Sequence, residues 1–136
     1  MSDAIVLTDT DYITVVYYTD RKIVHHTIHQ PISGKPLREA LNLGTATMAK
    51  YGACKWLSDD RLNGPLTPED AEWGRVDWNA RTIEAGWKYW ANVVPYEVHA
   101  AGTLTPAIHH LYTLGLQMMV FTNLEEATEW LETRGC

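Results

Sequence analysis

From Pro36 onward the chain alternates helix-period stretches with short apolar runs, and almost every transition carries a proline or a glycine; no other feature narrows the fold as much. Behind Pro36, whose missing N–H suits a first helical turn, Leu37, Ala40, Leu41, Gly44, Met48 and Tyr51 recur at helical spacing. Gly44 within that stripe costs about 1 kcal/mol against alanine, which predicts a close approach of this helix to the sheet. Gly52 ends the helix, and the mostly apolar residues 54–57 predict a brief central strand. Thr67-Pro68-Glu69-Asp70 is the strongest helix start: a threonine N-cap, a proline at the first helical position, and acids facing the positive end of the helix dipole. That helix is predicted over residues 68–85, with Gly86 as its stop. Trp73, Val76, Ala80, Ile83 and Trp87 share one stripe of it and Trp78 lies off it, so Trp78 is expected under a partner copy or a loop.

Residues 89–94 read as the next strand, ended by Pro95, and a long glycine-containing connection leads to Leu104. Thr105-Pro106 repeats the cap-plus-proline start for a helix through Ile108, Leu111 and Tyr112 to near Gly115. Residues 117–121 form the last strand. Asn123 caps the final helix, with Glu125 and Glu126 in its first turn and Leu124, Ala127 and Leu131 pointing inward.

The first thirty residues differ in kind. Residues 4–8 and 12–18 are β-type runs around the turn Asp9-Thr10-Asp11, and residues 23–29 resume β character after the polar tip Thr19-Asp20-Arg21-Lys22. The whole is a β-meander followed by α-β-α-β-α-β-α. This predicts an α/β fold: one mixed sheet packed with about four helices, its later strands parallel and joined by right-handed crossovers. At 136 residues, with no visible linker, residues 1–136 form a single domain.

Alternation in the third strand puts Val24, His26 and Ile28 on one face and Ile23, His25, Thr27 and His29 on the other. His25 and His29 are about 13 Å apart along an extended chain, too far to chelate one metal, and read as solvated side chains. A metal site would need a third partner such as His109 or His110; no metal or cofactor is expected.

The formal charge of -6 and pI near 5.4 argue against nucleic acid and anionic lipid as partners. No run of about 18 apolar residues is present, so no membrane insertion is expected. The start Met1-Ser2-Asp3-Ala4 lacks the features of a signal peptide, which points to the cytoplasm. Cys54 and Cys136 belong to no Cys-x-x-Cys pair, and one of them is the last residue; they are expected as two free thiols without a disulfide.

The candidate site is the polar cluster at the end of the central strand, Lys55-Trp56-Leu57-Ser58-Asp59-Asp60-Arg61, before the turn Asn63-Gly64-Pro65. Asp59 and Asp60 can hold Arg61 in one rotamer, as an ion-paired turn does. Arg61 and Lys55 can instead accept an anionic group beside an apolar wall of Trp56, Trp73 or Trp78. A Ser58 nucleophile would need a base within hydrogen-bond reach and an oxyanion site, and no sequence neighbour supplies either.

The pattern Lys55-Trp56-Leu57-Ser58-Asp59, Arg61, Gly64-Pro65-Leu66, Pro68-Glu69-Asp70 and Trp73, on this element order, resembles a group of small bacterial proteins with a STAS-like fold, that of the anti-sigma-factor antagonists. The resemblance spans residues 12–134 and implies no enzymatic activity. In the antagonists a serine at the end of a central strand is phosphorylated by a partner kinase, and Ser58 stands at the matching place. The chain departs from them in lacking the short Asp-Ser-x-Gly turn and in carrying a loop from Asp60 to Leu66 instead. The resemblance implies a regulatory or protein-interaction domain; the polar cluster and its tryptophans offer Lys55, Ser58, Asp59, Asp60, Arg61, Trp73 and Trp78 as interaction residues, and the off-stripe Trp78 predicts self-association as a homodimer. A carrier of a small apolar or anionic ligand is the alternative, and a hydrolase using Ser58 a further one.

Overall fold

The computed structural model describes residues 3–136. Six strands form one sheet in simple chain order: β1 (Ala4–Asp9), β2 (Ile13–Tyr18), β3 (Ile23–Ile28), β4 (Lys55–Asp59), β5 (Tyr89–Val93) and β6 (Gln117–Phe121). β1 to β3 pair antiparallel, and β3 to β6 pair parallel. Each strand of the parallel half adds on the same side of its predecessor, so right-handed crossovers place every connecting helix on one face. That face carries α1 (Lys35–Tyr51), the helical stretch made of α2 (Pro68–Trp73), a π-helical turn (Gly74–Trp78) and α3 (Asn79–Glu84), and α5 (Thr105–Thr113). The helix that follows β6, α6 (Leu124–Glu132), covers the opposite face, where Ala127 and Leu131 pack on Ile23, Leu57, Ala91 and Val93. All five residues of β4 are buried, as a strand covered on both sides requires. The fold class is therefore α/β with a mixed sheet, as the element order implies, and no helix among the described residues is long and apolar enough to cross a membrane.

Gly44 lies directly against the central strand. A Cβ there would sit 2.8 Å from Cζ3 and 3.0 Å from Cζ2 of Trp56, and nearer still to Cη2. The glycine predicted from its propensity cost is thus the point where α1 touches the sheet.

Four expectations are corrected. The stretch 68–84 is helical, but the π turn adds a residue to its period, with Asn79 N–H reaching the Gly74 carbonyl. Residues five apart then fall in line: Trp73 and Trp78 stack with ring centroids 6.2 Å apart, while Val76 is 61% exposed. Trp78 is only 5% exposed within one chain, and its indole N–H donates to Thr45 Oγ1 at 2.9 Å. Trp78 therefore needs no partner copy to cover it, and the ground on which self-association was expected falls away.

The connection after Pro95 holds an unforeseen helix, α4 (Tyr96–Ala101), closed by Gly102 at φ 64°. None of its residues is buried, so it carried no apolar stripe to read. Thr105 does not cap α5; Leu104 holds that position and no side chain caps it.

The fourth correction concerns the cysteines. Cys54 and Cys136 form a disulfide, with Cα atoms 5.7 Å apart. α6 runs back along the sheet and delivers the carboxyl terminus to the start of β4, so proximity comes from the fold rather than from spacing. Disulfides persist in oxidising compartments and are rare in the cytosol, so this bond weighs against the cytoplasmic expectation.

Candidate functional site at the carboxyl end of the central strands

Successive residues of a strand face opposite sides of the sheet, so Ser58 and Asp59 part company. On the side of α1, cross-strand register aligns His26, Ser58 and Asn92 in one row over β3, β4 and β5. The Trp56 indole N–H donates to His26 Nδ1 at 3.0 Å, and His26 Nε2 lies 2.7 Å from Asp60 Oδ1. An indole can only donate, so Nδ1 is the acceptor and the ring proton sits on Nε2, where Asp60 receives it. Both nitrogens are occupied, and neither offers a lone pair to Ser58. The Ser58 hydroxyl, fully buried, accepts from the Trp90 indole N–H at 2.9 Å. Beside it, Asn92 Oδ1 is buried without a partner.

On the opposite side, Asp59 is clamped by Arg61, which donates from Nε at 2.9 Å and from a terminal nitrogen at 2.7 Å. The Asp59 side chain is 7% exposed and that of Arg61 42%. Burial alone would raise the Asp59 carboxyl, but the Arg61 hydrogen bonds and charge outweigh it and hold the group below its ordinary value. The same contact raises the Arg61 guanidinium.

Of the seven sequence-predicted residues, only Asp59 and Arg61 pair with each other; Asp60 turns to His26 on the α1 side, where Ser58 is buried under Trp90. Lys55 starts the strand that Asp59 ends, about 13 Å away at extended spacing. It is buried among β3, β5 and α6, and its ammonium is pushed down by burial, with Glu132 opposing. Trp73 and Trp78 belong to the core on the α1 side, Trp73 flanked by the guanidinium groups of Arg38 and Arg81 at 5.4 and 6.0 Å.

Several residues that organise this end were not singled out from sequence. Asn63 Oδ1 accepts from Ile32 N–H at 2.9 Å, and the buried Asp70 accepts from Gly34 N–H at 2.9 Å and Arg38 Nε at 3.0 Å. These bonds tie the loop after β4 to the loop after β3. Asp70 also completes the predicted cap, its N–H reaching Thr67 Oγ1 at 3.2 Å. His26 left a readable signal: a histidine between Val24 and Ile28 on an apolar face needs buried partners. The loop after β4 itself projects Leu62 and Leu66 into solvent, and Tyr96 projects from the start of α4.

The two histidines expected to be solvated differ: His25 is half-buried, whereas His29 is exposed as expected. His25 meets Tyr18 Oη at 3.1 Å and Thr27 Oγ1 at 3.2 Å, and burial, seconded by His26, lowers it to about 4. His29 meets Thr14 Oγ1 at 2.7 Å. Among the described residues no group of three His, Cys, Asp or Glu side chains could hold a metal ion. Two shallow clefts open elsewhere, one of about 370 Å³ beside β6 and one of about 260 Å³ between β1, β2 and α1; strand-end residues line neither.

Compared with family models, with curated proteins and with solved structures, the chain matches none.

Proposed function

We propose that the chain is a non-enzymatic regulatory or protein-interaction domain of STAS-like type, and that it presents the loop after β4 to a protein partner. The observation that carries this reading is the Arg61 guanidinium, half exposed and held in one orientation by the buried Asp59. A preorganised cation next to the exposed Leu62 and Leu66 combines a directional contact with an apolar one at little entropic cost on binding. Ser58 supports neither nucleophilic catalysis nor direct phosphorylation as it stands, since Trp90 covers it and the His26 nitrogens are taken. Phosphoryl transfer to it would first need the end of β4 and Trp90 to part. A ligand carrier would need an enclosed apolar cavity, and the two clefts are open and shallow.

The test compares affinity capture by the wild-type chain with capture by Leu62→Asp and Arg61→Gln, each checked for an intact fold by circular dichroism. A partner retained by wild type and by a remote control, Lys50→Gln, but lost by both loop variants is the expected result. A small molecule released on denaturation in native mass spectrometry, with no loop-dependent partner, overturns it in favour of a carrier.

A further inference from the structure

The outer edge of β6 gathers four features that the strand-end reading leaves unused. First, among the described residues β6 is an edge strand, paired only with β5. Gln117 N–H donates to the Lys88 carbonyl and the Phe121 carbonyl accepts from Val94 N–H, so the backbone groups of Gln117 and Phe121 serve the β5 side. In a parallel ladder the intervening residues then turn their N–H and C=O outward, which leaves those of Met118 and Val120 on the open edge. Second, helices flank this edge on both faces: α5 through Ile108 and Tyr112, and α6 through Trp130. Together with Gln117, Met118 and Met119 they enclose the cleft of about 370 Å³. Third, apolar side chains are exposed here, with Tyr112 on α5, Leu114 just beyond it and Met119 on the strand.

Fourth, a cation stands at one end of the cleft without a counter-charge. Arg134 lines it and lies over the Trp130 ring at 5.0 Å, yet its Nε is buried without a hydrogen-bond partner. Among the described residues no carboxylate pairs with it, and the nearby Glu132 is engaged by Arg21 at 3.7 Å. α6 runs opposite to the parallel strands, so Arg134 lies toward the amino end of β6. The Cys54–Cys136 bond, two residues further on, fixes the tail that carries it.

We infer that this edge is a docking groove for the carboxyl-terminal segment of a partner protein, added to the sheet as a seventh strand antiparallel to β6, with its terminal carboxylate on Arg134. Unpaired backbone groups in register call for an extended chain rather than a helix or a small molecule. The antiparallel direction brings the end of that chain to the amino end of β6, where Arg134 supplies the charge-assisted contact. Alternate apolar side chains of the incoming strand meet Met118 and Ile108 on one face and Met119 and Trp130 on the other. The surface is separate from the loop after β4, so either assignment can fail without the other.

The probe is a displayed library of random heptapeptides with free carboxyl termini, selected against the full oxidised chain and measured by fluorescence polarisation. The expected result is a set of peptides apolar at alternate positions. Their affinity should fall about tenfold or more on amidation of the terminus and on Arg134→Gln. Val120→Pro should also abolish binding, because it deletes only an outward-facing N–H, a place where an edge strand tolerates proline. Matching circular dichroism and denaturation midpoints of the variants keep that reading distinct from misfolding. Three results overturn the inference: no peptide bound more tightly than about 100 μM, binding indifferent to Val120→Pro and Arg134→Gln, or a dimer in sedimentation that Val120→Pro dissociates. The last would make the occupant a second copy of this chain.

Discussion

Gly44→Ala is the most direct probe of how the sheet and its helix layer fit. The added Cβ would lie 2.8 to 3.0 Å from two ring atoms of Trp56 and closer to a third, against about 3.5 to 4.0 Å for ordinary carbon contact. Either α1 or the indole must retreat by roughly 1 Å. The indole has little room to do so, being fully buried and boxed by Trp78 and Trp87 at ring distances of 5.1 and 5.8 Å. Overpacking of this kind costs about 1 to 3 kcal/mol, and the better helix propensity of alanine returns about 1. The variant should therefore lose up to about 2 kcal/mol in urea unfolding at unchanged slope, with an altered near-ultraviolet circular dichroism signal from the displaced indole. Because the clash is with the six-membered part of the indole, Gly44→Ala should cost less in a Trp56→Phe background, a coupling that a double-mutant cycle reads directly. An unchanged or raised midpoint with an unaltered aromatic spectrum would refute the argument.

Cys136→Ser should lower stability by about 4.5 kcal/mol under oxidising conditions, the chain-entropy value for a closed loop of this length, and reductant should have no further effect on the variant. Titration with a maleimide under denaturing conditions should find no free thiol in the oxidised wild type. Arg61→Ala leaves Asp59 buried without its cation; because Arg61 is itself 42% exposed, the roughly 3 to 5 kcal/mol of a fully buried pair is reduced to about 1 to 3, measured by urea unfolding at pH 7. A loss below about 0.5 kcal/mol would make the clamp dispensable. His25, lowered from 6.5 to about 4, binds its proton more readily in the unfolded chain, so its contribution is complete above pH 6.5 and is lost as pH falls toward 4, at most on the order of 3 kcal/mol. Asp59 and Asp70 are also lowered, so their contributions are present above the unfolded carboxyl value of about 3.9 and disappear on further acidification. A pH series of urea midpoints should show both stages, and His25→Gln should flatten the first. Thr67→Ala removes the acceptor for Asp70 N–H and should cost about 1 kcal/mol, read as a shift in midpoint.

Whatever depends on neighbours along the chain was legible in the residues alone. The element order apart from α4, the Thr67 and Asn123 caps and the Gly52 stop follow from local backbone chemistry, and the structure repeats them. Gly44 was legible for the same reason, since a propensity cost inside an apolar stripe has to be offset by packing. The parting of Ser58 from Asp59 was also present in the two-residue period of a strand, although a contiguous polar cluster invites treatment as one site. The other features arise from contacts between distant segments. The π turn at Gly74 shifts the helix phase so that Trp78 joins Trp73, because burial of two indoles outweighs the poorer hydrogen-bond geometry of one wide turn. The Trp56–His26–Asp60 chain joins residues 30 and 34 positions apart, and the Cys54–Cys136 bond joins residues 82 apart. Such pairings arise because parallel crossovers and a returning α6 bring distant segments to the same end of a strand, a consequence of how the whole sheet closes rather than of any stretch of the chain alone.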